Sequence, residues 1–310
     1  MKEKFLFFIK LIIVTVLVSV FAFAVVMPQY TGNYQASMVD KVARLQSMEG
    51  RKIVLLGNSN LAFGMNSGMV EEAFGVQTVN MGLHGGVGNA FNESVARLNV
   101  EEGDIYVIFH DNYTDNDTIK NPELAWITIE NHFGMWRLLR PKDILPMARA
   151  FPTYLHKCID MWASQTGNAE ETNAYRRSAF NERGDNFYPR PKTQGGIDFS
   201  KVTVNPVSEK AAVRINQLNT YLTKRGALLL VAGYPIAECE TTPSREAYAA
   251  FEEDLKEKLD CPVISDYNEY RMASDYFYDS YLHMTDAGVT LRTNLFIQDL
   301  KQYLQKQESE

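Results

Sequence analysis

The chain has 310 residues, 45% of them hydrophobic, enough to bury a full core in one domain of ordinary to large size. A net charge of −7 and a pI near 5.4 provide no basic field to hold a polyphosphate, which sets nucleic acid aside as a partner. Three cysteines, Cys158, Cys239 and Cys261, are too few and too scattered for a disulfide framework or a zinc site; one bridge at most, Cys239 to Cys261, is open to them.

From Phe5 to Met27 the sequence is almost uninterrupted hydrocarbon, broken only by Lys10 and long enough as a helix to cross ~30 Å of lipid. Lys2 and Lys4 precede the run, so the positive-inside rule leaves the N-terminus in the cytoplasm and everything after Pro28 outside. Ala22-Phe23-Ala24 has the small-x-small form of a cleavage site, and a cleaved signal peptide is the alternative. The apolar run exceeds a usual signal and continues past that site, which favours a retained single-pass anchor over residues 1–27, with residues 5–27 in the bilayer. On either reading the body is exported to the extracytoplasmic face of the cell membrane. Residues 28–50 then predict a juxtamembrane helical stalk, with Met38, Val42 and Leu45 on one face and Gly50 closing it.

Beyond the stalk, short apolar runs alternate with helical patterns. The spacing predicts a strand over Ile53–Leu56, a helix near Met65–Phe74, a strand over Val76–Val79, a helix near Val87–Leu98 and a strand over Ile105–Phe109. This is βαβαβ, the pattern of a parallel sheet with helices on both faces. It resumes after residue 200. Asn205-Pro206 caps a helix with Ala211, Ile215, Leu218 and Leu222 on its face; Ala227–Val231 is a buried strand; and Thr242-Pro243 starts a helix presenting Tyr248, Phe251, Leu255 and Leu259. A fifth strand is expected in Cys261–Asp266, and a last helix from about Thr285 to Leu304, before a frayed polar tail. The fold class expected for residues 51–310 is therefore α/β: a three-layer α/β/α sandwich on a five-stranded, mainly parallel sheet. Residues 113–198 do not follow the alternation and read as a helical insertion or lid. Its Trp126, Trp136 and Trp162 serve either a surface for carbohydrate, membrane or protein, or a small core of their own.

In an open parallel sheet, ligands bind outside the carboxyl ends of the strands. The first strand delivers Gly57-Asn58-Ser59-Asn60 there, with a hydroxyl on rigid backbone; the plain alternative is an ordinary turn. The second ends Asn80-Met81-Gly82, with Gly85, Gly86 and Gly88 following, a turn whose bare N–H groups suit an oxyanion or a phosphate. It lacks the Lys of a phosphate-binding loop and the acidic residue of a dinucleotide site. The third ends His110-Asp111-Asn112, and Asp279 and His283 lie just before the last helix, a carboxylate and an imidazole in the order a serine nucleophile requires.

Together, Gly57-x-Ser59, Asn80-x-Gly82, Asn112 and the Asp279…His283 pair resemble the SGNH (GDSL-like) hydrolase family, over about Arg51 to Asp111 and Ser208 to Leu304. The resemblance implies the flavodoxin-like fold of that family, with Ser59 as nucleophile, His283 as base and then acid, and Asp279 orienting the imidazole. It implies an oxyanion hole from the N–H groups of Ser59 and Gly82 and the Asn112 side chain, with no cofactor and no metal. The sequence departs from the family in having Asn58 for an aspartate, His110-Asp111-Asn112-Tyr113 for Gly-x-Asn-Asp, and Asp279 four residues before His283 where three is usual. The anchor, the insertion and the segment Arg176–Asn186 narrow the resemblance to exported members found beside membrane-bound O-acyltransferases. The activity implied is serine esterase or O-acyltransferase, on acyl groups of an extracellular polysaccharide or cell-wall polymer, with such an O-acyltransferase as partner. The rival readings are a non-catalytic module binding a glycan or that partner, and a nucleotide or phosphate binder.

Overall fold

In the computed structural model the described residues are 2–114, 118–130, 132–166 and 173–309; residues 115–117, 131 and 167–172 of the expected insertion lie outside them. Helix α1 (Lys2–Phe21) buries none of its residues and continues into a π-helical stretch, Ala22–Val26. Lys2–Val26 is thus one N-terminal helix long and apolar enough to cross a membrane. The chain enters the folded body at Val26 and Met27, both buried in the main core.

The next helix, α2 (Ser37–Ser47), is no free stalk: Met38, Val42 and Leu45 are fully buried in the main core. Its apolar face is the one the sequence shows, and it finds the sheet instead of solvent. Lys41 lies on that face, and its buried ammonium donates to the carbonyls of Asn80 (3.1 Å), Gly82 (2.7 Å) and Gly184 (2.6 Å). Burial pulls its pKa down to about 7 against the opposing charges of Asp185 and Asp40.

Four parallel strands, β1 (Lys52–Gly57), β2 (Gln77–Asn80), β3 (Ile105–Phe109) and β4 (Leu228–Val231), form the sheet in the order β2-β1-β3-β4. The expected fifth strand is reduced to a single parallel bridge, Val231 to Val263. Pro262 has no N–H to extend the ladder, and Ser265 is already committed, accepting from Gly233 N–H (3.0 Å) and donating to Asp299 (2.5 Å). Two three-residue strands the sequence does not announce, β5 (Ile236–Glu238) and β6 (Arg271–Ala273), pair separately.

Alternation along each strand sorts the core. Val54, Leu56, Tyr106, Ile108, Leu229 and Val231 pack with α2, with Phe91 of α5 (Asn89–Ser94), with α8 (Glu209–Thr223) and with α9 (Arg245–Lys258). Ile53, Leu55, Ile105, Val107 and Leu230 pack instead with Val70 of α4 (Ser67–Phe74) and with Phe296 and Leu300 of α10 (Asp286–Ser309). Helices therefore cover both faces of the sheet. The helix expected over Val87–Leu98 is shortened to α5 between two 3-10 turns, the first set off from it by the positive φ of Gly88 (88°). Helix α8 is capped by Ser208 and α9 by Ser244, each a few residues later than the Asn-Pro and Thr-Pro pairs suggest. The polar C-terminal tail stays helical to Ser309. Cys158, Cys239 and Cys261 are free thiols.

The insertion supplies α6 (Pro122–Ile129) and α7 (Pro141–Ser164). Trp126 packs on Trp136, Phe151 and Tyr154 at centroid distances of 5.0, 4.9 and 5.6 Å, and these rings extend the main core into the insertion instead of forming one of their own. Buried Glu130 ties this extension to the chain leaving α1, accepting from Tyr30 N–H (2.9 Å) and from the Tyr154 hydroxyl. Burial raises its pKa from 4.5 to about 7, outweighing the two hydrogen bonds. The folded protein then keeps a proton that the unfolded chain loses first, so stability declines as pH rises through this window and the loss is complete above it. Chemical denaturation should show a decline of about 2 kcal/mol between about pH 5 and about pH 8 that Glu130→Gln removes. An equal decline in the variant would contradict the assignment.

Candidate active site

Asn58 ends β1 and caps the one-turn helix α3 (Ser59–Ala62), its Oδ1 accepting from the Asn60 N–H (2.9 Å) and Nδ2 (2.7 Å). Its own Nδ2 donates to the Asp111 carboxylate, which joins the ends of β1 and β3. The cap places half-buried Ser59 at the first helical position, where backbone N–H groups are left over by the helix. Among the described residues neither its N–H nor its Oγ makes a hydrogen bond, including to His283.

The turn is held from below. Asn60 is fully buried and donates to Phe109 O (2.9 Å), while its backbone oxygen and Oδ1 accept from Arg292 of α10 at 2.5 and 2.9 Å. Gly64 makes room for that guanidinium: a Cβ there would sit 2.3 Å from both Arg292 Nη1 and Asn60 O. Gly64→Ala should therefore lower Tm by several degrees, a cost of about 1–3 kcal/mol by overpacking; an unchanged Tm would show that the turn yields.

His283 sits in a loop closed by the Phe277–Met284 bridge and by Tyr278 N–H donating to His283 O (2.8 Å). The four-residue spacing brings the carboxylate to the ring, with Asp279 Oδ1 2.8 Å from His283 Nδ1. Ser280, at the usual three-residue place, instead accepts from the His283 backbone N–H (3.2 Å). Burial alone would raise the Asp279 pKa, but the hydrogen bonds and charge of His283, with Tyr175 and Arg190, hold it below the ordinary value. The imidazole stacks on Phe63, centroids 4.1 Å apart, and Phe63 N–H bonds Ser59 O (2.9 Å). The imidazole thus packs on the residue one helical turn past Ser59.

A residue that sequence reasoning missed completes the pair. Tyr175 donates its hydroxyl to Asp279 Oδ2 (2.7 Å), stands 3.1 Å from His283 Nδ1 and packs on Phe63. No motif marks it, because it reaches the site from the insertion, more than a hundred residues away in sequence.

The remaining strand ends carry mixed findings. Gly82 is buried, and its N–H is engaged by Asn80 Oδ1 (2.8 Å). A Cβ at Gly82 would stand 2.6 Å from Ala62 N, so glycine is needed here for close approach to α3. Asn112 Nδ2 donates to Asp111 (3.2 Å), and its Oδ1 accepts from Thr114 (3.1 Å). His110 is a buried structural group, 3.0 Å from Glu93, which Arg214 also binds. A cavity of about 220 Å³ brings Asp111 and Asn112 of the third strand end together with Tyr281 and Leu282 beside His283; Ser59 and His283 do not line it.

The segment Arg176–Asn186 buttresses this rim. Asp185 accepts from Ser67 N–H (2.8 Å), Ser67 Oγ (2.7 Å) and Asn80 Nδ2 (2.9 Å), Arg183 O accepts from Asn80 N–H (2.8 Å), and Asn186 N–H bonds Ala62 O (3.0 Å).

If Tyr175 positions the imidazole, Tyr175→Phe should lower kcat several-fold with little change in KM and move the pH–rate profile. A merely structural role would lower stability and leave that profile in place. The chain matches no family model, no curated protein and no solved structure with which it was compared.

Proposed function

We propose that this chain is an SGNH-like serine esterase or O-acyltransferase. In this reading Lys2–Val26 crosses the cell membrane with its N-terminus in the cytoplasm, and the site faces outward, toward acylated polysaccharide or cell-wall polymer. The observation that carries it is the Asp279–His283 pair, fixed by Tyr175 and stacked on the helix that Ser59 begins.

With Nδ1–H directed at Asp279, Nε2 is the basic nitrogen. Ser59 Oγ attacks the acyl carbonyl carbon and gives its proton to Nε2; the tetrahedral intermediate collapses, and the leaving sugar oxygen takes that proton back. Water or a second sugar hydroxyl then attacks the acyl-serine carbon by the same route, transferring its proton to Nε2 and restoring Ser59. The Ser59 N–H is the donor for the developing oxyanion, joined by the Asn112 side chain once its Nδ2 turns from Asp111. Gly82 contributes by shape, since its N–H is held by Asn80. The neighbouring cavity, with Tyr234, Tyr248 and Tyr281 beside Asn112, suits a sugar ring. A membrane-bound O-acyltransferase is the partner that would supply or receive such acyl groups.

The engaged Gly82 N–H and the lack of a Ser59–His283 hydrogen bond favour one second reading, a non-catalytic glycan- or partner-binding module. Turnover separates the two. Ser59→Ala should abolish hydrolysis of an acetylated sugar or aryl ester to the level of residual stabilisation, and Asn112→Ala should cost ~10²–10³ in kcat. Unchanged hydrolysis in Ser59→Ala would refute the nucleophile.

A further inference from the structure

Helix α7 buries one stripe against the body and leaves the ends of a neighbouring apolar stripe exposed, with only Phe151 and Leu155 at its middle packed on the core. Asp143, Met147, Tyr154 and Cys158 face inward and are buried. The neighbouring stripe, Ile144, Phe151, Leu155, Ile159 and Trp162, recurs at helical spacing, with Leu145 at its edge. Ile144, Leu145, Ile159 and Trp162 are 59, 57, 42 and 44% exposed, although all are large hydrophobic side chains. Lys142, Arg149, Thr153, His156 and Asp160 occupy the remaining side and are exposed. From Arg137 to Ser164 the chain has five basic side chains and two acidic ones, in a protein of net charge −7.

Contacts with the anchor set the direction of this helix. Phe21 meets Trp162 (5.7 Å) and Phe23 meets Phe151 (6.1 Å). The two anchor residues are about 3 Å apart along their axis, whereas their partners are about 16 Å apart along α7. Helix α7 therefore runs across the anchor rather than along it. Its exposed apolar stripe joins the lipid-facing surface of α1 where that helix enters the body, with a tryptophan at the junction.

We infer that α7 is an interfacial helix lying flat in the outer surface of the same bilayer that α1 crosses, with Ile144, Leu145, Ile159 and Trp162 among the acyl chains. The opposite side, with Lys142 and Arg149, is left to water and the outer headgroup layer, and the net positive charge of the segment favours an anionic surface. This rests on the anchoring proposed above and goes beyond it: a second contact fixes the tilt and height of the body, and with them the reach of Ser59 from the membrane. A single crossing helix would leave the body free to rotate.

The test uses the full chain reconstituted in vesicles of phosphatidylcholine and phosphatidylglycerol whose acyl chains are brominated near the headgroup, which quench nearby tryptophan. Native Trp162, measured by difference from Trp162→Phe, reports one end of α7; Ile144→Trp reports the other, about 27 Å away, and Thr153→Trp the opposite side. We expect Trp162 and Ile144→Trp each to lose the greater part of their emission and Thr153→Trp to keep it. Quenching of Trp162 alone, in a chain that floats with the vesicles, would overturn the interfacial helix while leaving the anchor intact. A chain that does not float would overturn both. Replacing Ile144, Leu145 and Ile159 with serine supplies a second check: flotation should persist through α1 while Trp162 quenching falls, and undiminished quenching would contradict the proposal.

Discussion

A buried guanidinium holds the rim of this molecule together. Arg292 rises from α10 and binds both the backbone oxygen and the side chain of Asn60, one residue after the serine. Asn60 passes the constraint to β3 through Phe109 O and to Asn58 through its side chain. Removing Asn60's acceptors would strand a fully buried charge, a defect that costs on the order of 3–5 kcal/mol. The same helix follows directly on the loop carrying His283. One residue thus fixes the serine turn against the element that presents the imidazole, and Gly64 is the small residue this requires.

Around that tie, contributions converge from parts of the chain that have no sequence relation. Lys41 grips the carbonyls of Asn80, Gly82 and Gly184, and Asp185 holds Ser67 and Asn80, so the second strand end is clamped between α2 and the insertion. Tyr175 joins the Asp279–His283 pair from the same insertion. The insertion is therefore structural support for the rim. At its other end it packs Trp162 and Phe151 on Phe21 and Phe23, coupling the apolar N-terminal helix to the same body.

Periodicity made much of this legible in the sequence. The strands Ile53–Leu56 and Ile105–Phe109 and the faces of α2, α8 and α9 are buried where alternation or helical spacing put them. Period says nothing about how far a ladder extends, so the run after Cys261 looked like a full strand although Pro262 and Ser265 limit it to one bridge. It is equally silent about docking: the face of α2 was visible, its burial was not. In the site, the Asp279–His283 contact was expected despite the unusual spacing, because both residues share one short loop. Tyr175, Arg292 and Lys41 were not, since each acts across a long stretch of chain through a contact only tertiary structure creates. Gly82 shows the converse. Its glycine was noticed as a source of a free N–H, and the structure uses it for close approach to α3.

The central claim is that Arg292 and the His283 loop make Ser59 an activated hydroxyl, and covalent trapping tests it most directly. The native protein should be treated with an organophosphonate and the adduct mapped by peptide mass spectrometry. The account predicts a single adduct, on Ser59, that disappears in His283→Ala. No adduct, or one on another residue with Ser59 untouched, would contradict it.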